Sequence, residues 1–298
     1  MTDMRMRIVA LLCAAALALL GACSNESTPG SVDTSEAAPA EDEPTPTEAP
    51  SPTDQETAEE EESDTVSFEV WFADAKRLAP AIATIEATPR VGSAALEALL
   101  EGPSGAGNLT SAIPPGTRVN SLNIDGGTAT VDLSSQFESG EGIPSMGMRL
   151  GQLTFTLTQF PTVKRVVLEL EGERVRRFSN EGLVIERPLT RADFEDLSPA
   201  IIVTRPLGES EVASPVTVSG TANVFEANVS IRIVTDDGEV LAETFTTATC
   251  GSGCRGDFSE SVEFDVDEAT KATIEVYEES AETGKPLNMI RVPVTLVP

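Results

Sequence analysis

The chain lacks histidine and has few basic residues. Without histidine it has no base for Ser-His-Asp or Cys-His catalysis and no imidazole to bind zinc. Its 298 residues include 20 Lys and Arg against 49 Asp and Glu, a formal net charge of −29. Binding nucleic-acid phosphates needs clustered basic side chains, so nucleic acid is not an expected partner. The composition predicts a protein that is not an enzyme and needs no metal or cofactor.

The N-terminus has the pattern of a secretory signal. Arg5 and Arg7 precede an uninterrupted apolar run over residues 8–20, and small residues follow it. A short positive region, an apolar stretch too short to span a bilayer comfortably and small residues at its end are typical of a cleaved signal peptide. The sequence therefore predicts a signal peptide over residues 1–22.

A cysteine, Cys23, directly follows the predicted signal peptide. Leu20-Gly21-Ala22-Cys23 resembles a bacterial lipobox; the alternative is an ordinary cleavage site with an incidental cysteine. The resemblance implies that Cys23 receives a thioether-linked diacylglycerol and becomes the new N-terminus. We therefore expect a lipid-anchored protein on the extracytoplasmic face of the cell membrane, held there without a transmembrane helix.

Residues 23–64 have the composition of a disordered tether. From residue 24 to residue 64 the sequence holds 14 acidic residues, no basic ones, six prolines and twelve Ser or Thr. Such a segment cannot bury enough apolar surface to offset its chain entropy, and its charges repel one another. We expect an extended acidic stalk that acts as a spacer, and its composition leaves glycosylation open.

Residues 65–188 alternate strand and helix patterns. Apolar residues alternate in the strand segments and recur at helical spacing in the helix segments. In chain order these segments are 67–72, 88–100, 117–124, 128–133, 145–157 and 163–170. The order β-α-β-β-α-β predicts a small α+β domain with two helices on one sheet face. A linker over residues 189–200 follows.

Two motifs in this part are the most specific, Ile113-Pro114-Pro115-Gly116-Thr117 and Val131-Asp132-Leu133-Ser134. They resemble the GerM sporulation and germination domain. From the residues alone, Asp132 and Ser134 are expected to cap the chain that leaves the hairpin, which is a structural role. The resemblance implies a part in assembling or supporting an envelope complex, in some relatives a complex of sporulation.

Residues 201–298 have the pattern of an all-β domain. Seven short segments rich in Thr, Val, Ser and Phe are separated by turns such as Asp236-Asp237-Gly238. They are 201–204, 216–223, 229–235, 240–247, 257–264, 272–279 and 289–297. This spacing predicts an immunoglobulin-like β-sandwich, so the fold class is α+β followed by all-β. Ser214-Pro215-Val216 and the segment 224–229 resemble the Ig-like domain that accompanies GerM domains in envelope proteins.

Two local features are candidate sites. Cys250 and Cys254 are separated by Gly-Ser-Gly, and in an exported protein this spacing favours a local disulfide over a metal or redox site. Between residues 164 and 191, seven basic residues meet five acidic ones. The candidate interaction patch consists of Lys164, Arg165, Arg174, Arg176 and Arg177. It would contact an anionic wall polymer, lipid headgroups or an acidic partner; the alternative is pairing with glutamates on neighbouring strands.

These features predict a non-catalytic, lipid-anchored module that binds or assembles envelope proteins or peptidoglycan, in an oligomeric state left open. A first alternative is a lipoprotein that binds peptidoglycan or a wall glycan. Trp71 and Tyr277 are the only Trp and Tyr, which leaves few rings for stacking on sugars. A second alternative is an envelope hydrolase that uses a carboxylate pair.

Overall fold

The structure is a computed structural model that describes residues 64–105, 107–140, 142–178 and 182–298. The predicted signal peptide, Cys23 and the acidic stalk up to residue 63 lie outside the described residues. Within the described ranges no helix is long and apolar enough to cross a membrane. These residues belong to one structural unit that contains two hydrophobic cores.

The first core begins with a hairpin that the sequence pattern did not reveal. Strand β1 (Thr65–Asp74) pairs antiparallel with β2 (Arg77–Glu86) along its whole length. The short β3 (Leu109–Thr110) pairs with the other edge of β1, but only at Ala73 and Asp74. Strand β2, which was not predicted, contains Pro80; proline disfavours a central strand but is tolerated at an edge, and β2 is an edge strand.

Two helices and a second sheet complete this domain. The helices are α1 (Val91–Glu101) and α2 (Ile143–Thr158). The second sheet has the strand order β4 (Val119–Asp125), β5 (Thr128–Leu133), β6 (Arg165–Leu170), β7 (Glu173–Arg174). Strand β8 (Arg177–Phe178) pairs with β9 (Leu183–Val184) in a separate two-stranded sheet. Strands β5 and β6 are parallel, as expected when a helix connects them. The α+β class is confirmed, although the strands form separate sheets and not one.

The two polar residues of the motif that ends β5 bind the backbone of neighbouring segments. Asp132 Oδ1 accepts a hydrogen bond from Gly172 N at 3.0 Å. Ser134 Oγ accepts one from Arg118 N at 3.0 Å. The predicted capping of the chain that leaves the hairpin is wrong in its partners, since Ser134 makes no side-chain cap there and each side chain instead binds a backbone donor of another segment. The role is structural all the same.

The Ig-like domain is a two-sheet sandwich. One sheet has the order β10 (Ile201–Arg205), β12 (Val216–Ala222), β15 (Gly256–Val262). The other has the order β11 (Ser210–Ala213), β17 (Pro286–Val297), β16 (Thr270–Glu279), β13 (Asn228–Thr235), β14 (Val240–Thr247). All seven predicted strands are present, and β11, which pairs parallel with the end of β17, is additional. The predicted sandwich is confirmed.

Helix α2 supplies polar side chains to the edge of β1 that β3 leaves unpaired. Trp71 N donates to Thr156 Oγ1 at 3.0 Å, and Trp71 O accepts from Gln152 Nε2 at 3.2 Å. Two residues earlier along β1, Glu69 N donates to Gln159 Oε1 at 2.7 Å, and Gln159 Nε2 donates back to the Glu69 carbonyl. Side chains of the segment 152–159 thus replace a partner strand.

We expect Gln152→Ala to destabilise the domain by about 2–4 kcal/mol. Gln152 is 0 % exposed, and besides Trp71 O it binds Ala112 N at 2.8 Å, so the truncation leaves two backbone groups unpaired. Urea denaturation of the variant measures the loss. The control is Gln136→Ala, because Gln136 is exposed and its side chain binds only the Ser139 side chain. Equal midpoints for the two variants would contradict the proposed role.

Candidate functional site

The predicted linker is a bridge held by both domains. Its centre is a 3-10 helix, Arg191–Leu197, which starts with a capping box between Thr190 and Asp193. On the side of the first domain, Arg191 Nε donates to Thr158 Oγ1 at 2.9 Å, and its guanidinium carbon lies 4.7 Å from the ring centroid of Phe155. The bridge is thereby anchored to helix α2.

On the Ig-like side the bridge is fixed by a bidentate ion pair. Arg255 Nε and Nη2 donate to the Glu195 carboxylate oxygens at 2.9 and 3.0 Å, and Arg255 Nη2 also donates to Pro199 O at 2.7 Å. Asn223 Nδ2 donates to Glu195 Oε1 at 3.0 Å. Burial raises the pKa of the Glu195 carboxyl, but the hydrogen bonds from Arg255 and Asn223 and the charge of Arg255 outweigh it, so the pKa is lowered. Glu195 therefore remains ionised and paired.

Strand β10 connects the two cores directly. Ile201 and Val203 pack in the core of the Ig-like domain, whereas Ile202 between them packs in the core of the first domain. This follows from the alternation of side chains along a strand. With both faces of β10 buried, the two domains share one strand at their junction.

A cleft of about 340 Å³ opens beside this junction and is lined by both domains. Its walls are largely aliphatic and proline side chains: Pro80, Ile82, Ile202, Pro206, Val292 and Pro293. The charged residues that line it are Glu69, Glu209 and Arg291. An apolar cleft with a few charged groups is the usual form of a ligand site. A second cleft, of about 850 Å³, shares Glu69 and contains Arg191 and Arg205.

Glu69 is the unusual residue of this cleft. It is 5 % exposed, and its Oε2 accepts a hydrogen bond from Trp71 Nε1 at 3.0 Å. No basic nitrogen lies within 4.0 Å of its carboxyl in the part of the chain that the structure describes. Burial raises the pKa of Glu69, and this effect exceeds the opposing charge of Arg191 and the hydrogen bond from Trp71. Such a carboxyl is poised to gain a proton or a partner.

Sequence reasoning missed Glu69 because it treats β1 as buried on one face. The alternation assigns Phe68, Val70 and Phe72 to the core, which leaves Glu69 and Trp71 on the other face. Both faces of β1 are in fact buried over residues 68–73. The available signal was Trp71, since a large aromatic on the same face as Glu69 disfavours a solvent-exposed face.

The five residues of the basic patch are exposed and lie on or next to strands β6, β7 and β8. Lys164 and Arg165 stand at the start of β6, and Arg174 faces Glu169 near its end. Among the described residues none of the five forms an ion pair within 4.0 Å. The alternative, pairing with glutamates across the strands, is therefore not seen in the described part of the chain.

The structure joins Cys250 and Cys254 in a disulfide. The loop that it closes packs against the segment before β13: Ser252 N donates to Val224 O at 2.9 Å, and Gly253 N donates to Asn223 Oδ1 at 3.0 Å. Because Asn223 also binds Glu195, the disulfide loop supports the domain junction. In the ranges described here, no group of three or more Cys, Asp or Glu side chains is arranged to hold a metal ion.

Two family models match the sequence. The model described as "Sporulation and spore germination" matches residues 51–176. The model described as "Immunoglobulin-like domain of bacterial spore germination" matches residues 200–285. The curated proteins contain no match. The predicted resemblances are confirmed for both halves of the described chain.

Two solved structures are similar to this chain. The first GerMN domain of the sporulation protein GerM from Bacillus subtilis is 24 % identical, with a TM-score of 0.37, and the match covers 43 % of this chain and 98 % of that one. The tandem GerMN domains of the same protein are 18 % identical, with a TM-score of 0.40 over 78 % of this chain. This chain spans 60 % of the length of the tandem structure.

We expect Glu69→Gln to make stability less dependent on pH. The folded pKa of Glu69 is raised, so its contribution to stability is complete below the unfolded pKa and is lost as the pH rises through the folded pKa. The substituted glutamine keeps an acceptor for Trp71 Nε1 but does not titrate. As the pH rises, the free energy of unfolding of the variant should therefore increase relative to that of the wild type. The total increase should be about 1.4 kcal/mol for each pH unit that separates the unfolded and folded pKa values of Glu69.

The measurement is urea denaturation at several pH values from the ordinary carboxyl range upward. Glu263→Gln is the control, because Glu263 is exposed and lies outside the cleft. A difference between wild type and Glu69→Gln that does not change with pH would show that Glu69 has an ordinary pKa.

Proposed function

This chain is a GerM-domain protein with an immunoglobulin-like domain of bacterial spore germination, and on that premise we propose that it is a non-catalytic, lipid-anchored module that binds or assembles proteins of the cell envelope during sporulation or germination. The observation that carries the proposal is the order of three features in one chain. Leu20-Gly21-Ala22-Cys23 is followed by the two matched domains, over residues 51–176 and 200–285.

The domain junction supports a role in binding. Glu195 and Arg255 tie the bridge to the Ig-like domain, and Arg191 ties it to the first domain, so both present their surfaces in one fixed relation. A fixed arrangement lowers the entropic cost of engaging a partner with both domains. The basic patch on β6, β7 and β8, which forms no ion pair within 4.0 Å among the described residues, is the surface that we assign to an acidic partner.

The alternative of wall-glycan binding has weaker support. Trp71 is 0 % exposed and Tyr277 is 2 % exposed, so neither can stack on a sugar, and the rings exposed among the described residues are those of Phe225 and Phe245. The hydrolase alternative needs two carboxyls on opposite sides of a cleft. Glu69 and Glu209 both line the cleft at the domain junction. Incubation with cell-wall fragments decides it: release of soluble fragments that stops in Glu69→Gln would favour the hydrolase.

We expect Cys23→Ala to abolish lipid attachment. The thiol of Cys23 is the only group that the lipobox resemblance provides for the thioether, so its loss removes the anchor. Metabolic labelling with a fatty-acid analogue, followed by detection on the purified protein, measures attachment. Cys13→Ala is the matched control, because Cys13 lies in the predicted signal peptide. Label retained on Cys23→Ala would overturn the anchor.

We expect charge reversal of the patch to remove the captured partner. The variant is Arg174→Glu with Arg176→Glu and Arg177→Glu, and the measurement is crosslinking of the tagged full-length protein in its own membrane followed by mass spectrometry. Arg90→Glu with Arg118→Glu and Lys271→Glu is the control, because these residues are also exposed but lie outside the patch.

One or two defined envelope proteins should be lost from the patch variant and retained by the control. Capture of wall fragments alone would favour glycan binding over assembly. Unchanged capture by the patch variant would show that the patch is not the binding surface.

A further inference from the structure

We infer that the apolar cleft at the domain junction binds an aliphatic ammonium group, with Glu69 as its counter-ion. The inference does not depend on the proposed function, and it assigns a ligand class to a cleft that the domain matches do not explain. It rests on three observations made on the described residues: one carboxylate oxygen of Glu69 without a hydrogen bond, two lining carboxyls without an ion pair, and apolar walls.

One oxygen of Glu69 is available. Glu69 Oε2 accepts the hydrogen bond from Trp71 Nε1, and none of the residues that the structure describes donates a hydrogen bond to Oε1. Among the described residues that are not exposed, Thr154 Oγ1 is the only side-chain oxygen or nitrogen that is both sealed from solvent and without a hydrogen-bond partner. Glu69 Oε1 also has no such partner, so it is not sealed from solvent and is accessible from a cleft that Glu69 lines. A carboxylate that is nine-tenths buried and has a free acceptor atom strongly favours a charged donor as its partner.

The charges around the cleft favour a cation. Arg291, which lines the cleft, is committed to Glu275, with Nε 3.0 Å from Oε1. Neither the Glu69 carboxyl nor the Glu209 carboxyl has an oxygen within 4.0 Å of a basic side-chain nitrogen of the described residues. Arg191 is near enough to lower the pKa of Glu69, but its guanidinium donates to Thr158 Oγ1 and Phe155 O. Among the described residues, the two carboxyls that line the cleft therefore have no ion-pair partner, whereas the arginine that lines it has one.

The walls and the volume favour an aliphatic stem. Aliphatic and proline side chains of both domains line the cleft together with Glu69, and its volume of about 340 Å³ is at the lower end for ligand clefts. A short alkyl chain buries apolar surface there while its ammonium reaches Glu69 Oε1. When Glu69 is protonated, binding the ammonium expels the carboxyl proton to solvent, so affinity should fall as the pH drops below the raised pKa of Glu69.

The experiment uses the purified full-length protein in detergent, with pentylamine as the probe. Trp71 is the only tryptophan and bonds directly to Glu69, so selectively excited tryptophan fluorescence reports on the site. We expect a saturable change with pentylamine and binding weaker by about tenfold or more in Glu69→Gln, measured by calorimetry. Glu263→Gln should bind as the wild type does.

Pentanol and pentanoate separate charge from apolar contact. The proposal predicts that both bind at least about tenfold more weakly than pentylamine, because neither supplies a positive charge to the carboxylate. Equal binding of pentanol, or of pentylamine to Glu69→Gln, would overturn it. Preferred binding of pentanoate would also overturn it and would point to Arg191 and Arg205 in the second cleft.

A last arm identifies the source of the ammonium. N-acetyl-lysine N-methylamide presents the same group on a peptide unit, so tighter binding than pentylamine assigns a lysine side chain of a protein or peptide. Weaker binding assigns a free aliphatic amine. No saturable binding of either compound overturns the inference, and it leaves the partner-capture experiment, and hence the proposed function, unaffected.

Discussion

The unpaired edge of strand β1 is the constraint on which the first domain and the domain junction depend. Its partner β3 covers only Ala73 and Asp74, so the backbone groups at Glu69 and Trp71 need other partners. Gln152, Thr156 and Gln159 are spaced at four and three residues, which places them on one side of α2. A glutamine amide both donates and accepts, so it replaces a peptide group of a missing strand. The helix is thereby tied to β1 by hydrogen bonds as well as by packing.

The same arrangement determines how the two domains are joined. The end of α2 that binds β1 also supplies Thr158 Oγ1 and Phe155 O to Arg191, the first residue of the bridge helix. From there the chain needs only a few residues to reach Glu195, which Arg255 holds from the Ig-like domain. Loss of either arginine would free one end of the bridge. The segment predicted as a linker between the two domains thus acts as a fixed connection because charged side chains hold both of its ends.

Most of the Ig-like domain was predictable from the sequence, because its strands alternate and its turns carry Gly, Asp and Pro. Strand β11 was not, since its four residues pair with β17, more than 80 positions away, and carry no alternation strong enough to stand alone. Strand β2 was not predicted either; it contains Pro80, and proline within a run of residues disfavours a strand. The sequence of α2 showed its apolar stripe, but Gln152 and Thr156 lie outside that stripe, and a pattern cannot show that a backbone edge needs them. Glu69 could not be selected among 49 acidic residues for the same reason: its burial depends on residues distant in sequence.

The two glutamates at the junction show how different environments shift the pKa of the same chemical group in opposite directions. Glu195 has a bidentate arginine and an asparagine, which keep it ionised and use both of its oxygens. Glu69 is more deeply buried, yet its one side-chain donor is the neutral Trp71 Nε1, and Arg191 lowers its pKa without forming an ion pair within 4.0 Å. Both oxygens of Glu195 are already used, whereas no hydrogen bond from the described residues reaches Glu69 Oε1, so a proton or an incoming donor can still satisfy that oxygen.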